Sequence, residues 1–77
     1  MNPTLASVPV GASATVVSIE AEPLLKSRLT DLGLTQGCRV RCLYTAPSGD
    51  PHAYAVRSTV LAIRNRDAAR IEVLPWD

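Results

Sequence analysis

The chain alternates short apolar stretches with Gly- and Pro-marked turns, and only one stretch repeats at helical spacing. Residues 1–12 form a lead-in with Leu5, Val8 and Val10 apolar and a turn at Pro9 and Gly11. Ser13 to Ile19 is rich in β-branched residues and reads as a first strand, with Thr15, Val17 and Ile19 on one face. The clearest period-two signal runs from Cys38 to Thr45. It places Cys38, Val40, Cys42 and Tyr44 on one face and Arg39, Arg41 and Leu43 on the other. Ala53 to Arg57 and Thr59 to Arg64 read as two more strands, paired as a hairpin through Arg57 and Ser58. Arg70 to Leu74 is the closing strand, with Ile71 and Val73 inward.

The helical stretch is Pro23 to Leu32. Pro23 suits the first helical position, where its missing N–H costs nothing. Leu25, Leu29 and Leu32 then form one apolar stripe. Gly33 follows and is expected to end the helix in the left-handed region, with Leu34 folding back onto the last turn. Gly37 marks the next turn, and Pro47 to Pro51 is a loop by composition. Asn65 to Ala69 reads as one helical turn capped by Asn65, and Pro75 to Asp77 as a short tail. Five short strands with one helix and a short helical turn predict an all-β fold with small α content. A small barrel is the natural form, because closure disposes of exposed sheet edges.

Length narrows this further. The 77 residues make one domain, spanning 1–77. A domain near this size buries only about 60% of the surface its unfolded chain exposes, so it holds one thin core. With no Phe, that core must come from Val, Leu, Ile and Ala. The net charge is +1, which argues against a nucleic-acid partner, since phosphate binding is driven by a basic excess. A local patch of Arg39, Arg41, Arg57 and Arg64 remains compatible with it; the simpler account is a solvated sheet face. No apolar run nears the roughly 20 residues of a bilayer span, and the first residues lack signal-peptide character, so the expected location is the cytoplasm.

Candidate chemistry is sparse. Cys38 and Cys42 lie four residues apart in a strand, about 13 Å, too far for a disulfide or a shared metal; they read as small buried hydrophobes. Ser48, Asp50 and His52 have the residue types of a hydrolase triad. A Pro/Gly loop on a tiny barrel offers neither the rigid positioning nor the oxyanion hole that a triad needs, so no enzyme is expected. Asp50 and His52 point the same way in extended chain and make at most a weak surface pair for zinc, better completed by a second chain than within one. No cofactor is required.

Three stretches together resemble one family. They are Arg28-Leu29-Thr30-Asp31-Leu32-Gly33-Leu34-Thr35-Gln36-Gly37, then Pro47-Ser48-Gly49-Asp50-Pro51, then Ala62-Ile63-Arg64 with Ala68, Ala69 and Ile71-Glu72-Val73. The chain is similar over nearly its whole length to the FeoA family of small cytosolic accessory proteins of bacterial ferrous-iron uptake. Ser58 stands where the family often has Gly. The resemblance implies an SH3-like β-barrel without enzymatic activity. It also implies a partner, the FeoB-type membrane iron transporter, met at its cytosolic part. The same module is similar to the C-terminal domain of metal-dependent repressors of the diphtheria-toxin-repressor type, which keeps a regulatory alternative beside that of a small-barrel nucleic-acid binder. SH3-like barrels bind through grooves beside their loops, and interface cores favour aromatics and Arg. The candidate partner contacts are therefore Leu24, Arg41, Leu43 and Tyr54, with Leu24 and Leu43 alternatively in the core. A weak homodimer is compatible with all of this.

Overall fold

In the computed structural model, residues 3–75 are described; Trp76 and Asp77, the end of the expected tail, lie outside the described residues. Five antiparallel strands follow a short 3-10 turn at Leu5–Ser7: β1 (Ser13–Ile19), β2 (Arg39–Thr45), β3 (His52–Val56), β4 (Thr59–Ile63) and β5 (Ile71–Val73). Helix α1 (Pro23–Asp31) links β1 to β2, and the one-turn α2 (Asn65–Ala68) links β4 to β5. The strand order is β4-β3-β2-β1-β5. β1 bends the sheet into a barrel by changing partners along its length. Its first half pairs with β2 and its second half with β5, with a bulge between Val16 and Ser18. Bulges sharpen the local twist, which is how a short strand turns a barrel corner.

That bulge also corrects the expected face. Ala14 and Val16 point into the core, not Thr15 and Val17; only beyond the bulge does Ile19 turn inward as expected. An extra residue in one strand reverses the alternation after it. The same event occurs in β2. Cys38, Val40 and Cys42 are buried, but a shift between Cys42 and Tyr44 carries Tyr44 to the surface at 60% exposure.

The helix ends as its sequence requires. Gly33 has φ +98°, donates its N–H to Thr30, and is followed by Leu34 donating to Leu29. This is a Schellman pair of bonds, closed by the buried Leu34 side chain. Leu32, expected in the buried stripe, is 49% exposed, because it is the C-cap and the chain leaves the helix axis there; Leu34 fills that place instead. Gly37, also at positive φ, donates to Val16 beside the bulge.

The core gathers Leu5 and Val8 of the lead-in, Val16, Val40, Val56, Ile71, Val73, Leu34 and Tyr54. Tyr54 is the largest fully buried side chain. Both cysteines are free and buried, and burial pushes the Cys42 thiol up from its ordinary range.

Candidate functional site

The β2–β3 loop is tied to α2 by three side chains. The Asp50 carboxylate accepts the backbone N–H of Asn65, at 2.9 Å, and so satisfies one of the orphan donors of α2. Asn65 is therefore not the cap expected from sequence. Arg64 occupies that position, without a side-chain bond, and Asn65 is the first helical residue. The Asn65 side chain is used elsewhere. Its Nδ2 donates to the Gly49 carbonyl, which turns Oδ1 toward His52 Nδ1. An amide oxygen can only accept, so His52 carries its proton on Nδ1 and keeps a lone pair on Nε2 when neutral.

This geometry bears on the metal pair. One oxygen of Asp50 and one nitrogen of His52 are already engaged, leaving two donors for an ion where structural sites use four and catalytic sites three. Among the described residues no group of three His, Cys, Asp or Glu side chains converges. Ser48 hydrogen-bonds the Asp50 backbone carbonyl, so its hydroxyl serves the turn.

The candidate partner contacts separate. Tyr54 is fully buried and is not a surface residue: it lies on the inner face of β3, with its hydroxyl reaching the Leu5 carbonyl at 3.4 Å. Burial, then the charges on Cys42 and Asp50, push its phenol up to about 12. Leu43 sits at the β2 bulge, half-buried. Leu24 is 68% exposed on α1 and is not core. Arg41 is exposed on the outer face of β2. A cleft of about 430 Å³ opens where Glu22 and Leu25 of the α1 start meet Arg66, Asp67 and Arg70. Its lining is mostly charged, unlike the apolar lining of small-molecule sites.

Sequence reasoning missed a patch on the outer sheet face. Tyr44, Val60 and Ala62 are all exposed there, beside Arg41. Register links them: Val60 pairs with Ala55, which pairs with Arg41, and Ala62 pairs with Ala53, which pairs with Tyr44. The only signal in the sequence was that Thr59 to Ile63 is apolar on both faces.

Comparison with known proteins places this fold. The FeoA domain model matches residues 4–75. The chain belongs to the FeoA family. Among solved FeoA structures, that of Chlorobium tepidum is 37% identical with a TM-score of 0.89, covering 92% of this chain and 68% of that one. The zinc complex of Stenotrophomonas maltophilia FeoA, a prokaryotic SH3 domain protein, is 34% identical with a TM-score of 0.80, covering 91% of this chain and 87% of that one. The SH3-like barrel expected from sequence is thus the fold. A fused Fe(2+) transport protein A/FeoB polypeptide of Porphyromonas gingivalis is 29% identical over 69 residues, which are 90% of this chain. This FeoA-family chain spans 8% of the length of that fused relative. Among the described residues, no helix is long and apolar enough to cross a membrane.

Proposed function

We propose that this chain is a cytoplasmic accessory protein of ferrous-iron uptake that works without catalysis, by binding the cytosolic part of a FeoB-type transporter. The observation that supports this most directly is the fused relative, in which a FeoA-like segment and the transporter share one polypeptide. Fusion holds two modules at high effective concentration; a separate chain must supply affinity through its surface instead. Leu24 and Arg41 are the sequence candidates that stand exposed. Leu24→Glu and Arg41→Glu are each expected to reduce capture by the immobilised cytosolic part of the transporter about fivefold, with circular dichroism unchanged. Undiminished capture by both would remove this surface from the proposal.

No cofactor enters this reading, and iron is cargo. With two free donors, Asp50 and His52 bind zinc weakly and share it between molecules. Calorimetry should find no submicromolar site on the monomer, and any dimer formed at high zinc should disappear in His52→Ala. A tight stoichiometric site, or dimers that survive the substitution, would contradict this assignment.

A further inference from the structure

The two ends of the sheet are treated differently. At one end the outer edge of β5 is covered by the lead-in: Val73 donates to the Pro3 carbonyl, and Thr4 bridges Glu72. At the other end stands β4, which among the described residues pairs only with β3. Hydrogen-bond alternation shows which of its groups are open. Cys42 directs its N–H to Ala12 and its carbonyl to the Gly11 N–H, on the β1 side of β2. Arg41 therefore faces β3 and bonds Ala55, its register partner. Tyr54 and Val56, the neighbours of Ala55 along β3, then face β4 and bond Leu61 and Thr59. Val60 and Ala62 are left with N–H and carbonyl groups directed outward from the barrel. Both side chains are exposed as well, Val60 at 57%.

Exposed edges are usually blunted by Lys, Pro, a bulge or a covering segment. Among the described residues β4 has none of these: its sequence is Thr-Val-Leu-Ala-Ile, and its ladder with β3 is unbroken. Its charge is at the ends, where Arg57 and Arg64 flank it. The Arg57 stem lies over Gly33, whose Cβ position would be 3.4 Å from Arg57 Cδ, so the residue is held at its end of the strand. No carboxylate occurs in β2, β3 or β4, and Arg39 and Arg41 stand on their exposed outer side. These three strands thus carry only positive charge, the nearby Asp50 carboxylate at the Arg64 end being engaged by the Asn65 N–H.

We infer that the free edge of β4 is a docking site for an extended segment of a partner protein, added as a sixth strand, apolar or small at its centre and carboxylate-bearing at its flanks. Backbone bonds to Val60 and Ala62 supply register, and Arg57 and Arg64 select the flanks. A second copy is a poor occupant, because antiparallel pairing about Leu61 sets Arg57 of one molecule opposite Asn65 of the other, diagonal to its Arg64, and so gathers like charges at both ends. Single-stranded nucleic acid is favoured less, since among the described residues Tyr44 is the one exposed stacking ring on this face. The inference goes beyond the transporter reading and does not depend on which protein supplies the strand.

The probe is a synthetic peptide with a Val-Thr-Val-Thr-Val centre and two acidic residues at each end, compared with the same centre flanked by lysines. Nuclear magnetic resonance on the full chain should show amide exchange at Val60 and Ala62 slowed at least about tenfold on saturation. The lysine-flanked peptide should bind at least about tenfold more weakly. Val60→Pro should abolish binding while keeping the fold, since the N–H it removes points outward and serves no internal bond. As a second variant, Arg57→Glu with Arg64→Glu should reverse the preference toward lysine flanks. Protection appearing elsewhere, unchanged binding by Val60→Pro, or indifference to the flanks would overturn the inference. So would a concentration-dependent dimer or an oligonucleotide occupying the same amides in preference to the acidic peptide. Loss of capture by the transporter would not bear on any of these results.

Discussion

Replacing Tyr54 by Ala is expected to lower the melting temperature by about 12 °C or more, and at 37 °C to leave much of the chain unfolded. Tyr54 is the largest fully buried side chain in a thin core. Truncating a buried aromatic costs about 3–5 kcal/mol, against a total near 5–15 kcal/mol for a native domain. Tyr54→Phe separates packing from polarity. The bond to the Leu5 carbonyl is long, at 3.4 Å, and that carbonyl also accepts from Val8. Losing it should cost under about 1 kcal/mol.

The Phe variant also tests the alkaline limb. The fold raises the Tyr54 phenol to about 12 from an ordinary 10.0, first by burial and then through Cys42 and Asp50. A phenol held neutral in the folded state contributes stability that is whole below the unfolded pKa. That stability is lost as pH climbs from about 10 to about 12, by up to about 1.4 kcal/mol per pH unit. The buried Cys42 thiol acts in the same direction from lower pH. Denaturant unfolding between pH 9 and 12 should therefore fall more steeply in the wild type than in Tyr54→Phe, taking those limits as rough bounds. Superimposable curves would refute a buried, protonated Tyr54.

The helix end supplies the second large effect. Leu34→Ala removes a fully buried side chain and should cost about 2–5 kcal/mol. Gly33→Val should cost about 1–2 kcal/mol or more through the backbone alone. A side chain there has room, since its nearest neighbour is Arg57 Cδ at 3.4 Å, but φ +98° favours glycine and strains a β-branched residue most. Gly33→Asn should be milder than Gly33→Val, because Asn tolerates the left-handed region better. Thermal melts of the three variants should rank Leu34→Ala worst, Gly33→Val next and Gly33→Asn mildest. Equal melting temperatures for Gly33→Val and wild type would remove the Schellman ending from the fold.

Local rules made most of the fold legible. Pro23 at the helix start, Gly33 at its end, the β-branched run of β1 and the Pro/Gly loop before β3 each act through their own backbone preferences, which neighbours in space do not alter. The hairpin through Arg57 and Ser58 was readable only from the two short apolar runs on either side; its turn puts Arg57 at φ 58°, a conformation its own preference does not favour. The motif spanning Arg28 to Gly37 and the Gly-Asp-Pro loop carried the family.

Face assignment was a different matter. Alternation predicts sides only while the ladder is unbroken, and two bulges break it, in β1 after Val16 and in β2 after Cys42. Barrel closure calls for those bends, and no residue in the chain announces them. The β2 bulge therefore sends Tyr44 to the surface, off the face it was expected to share with Val40 and Cys42, while Tyr54, an expected contact residue, is core because β3 turns it inward opposite Cys42. The roles of Asp50, His52 and Asn65 rest on contacts across 13 to 16 residues, which only the packed chain creates. The open edge of β4 is likewise a property of strand order, invisible until the lead-in has covered β5 and left β4 without a neighbour.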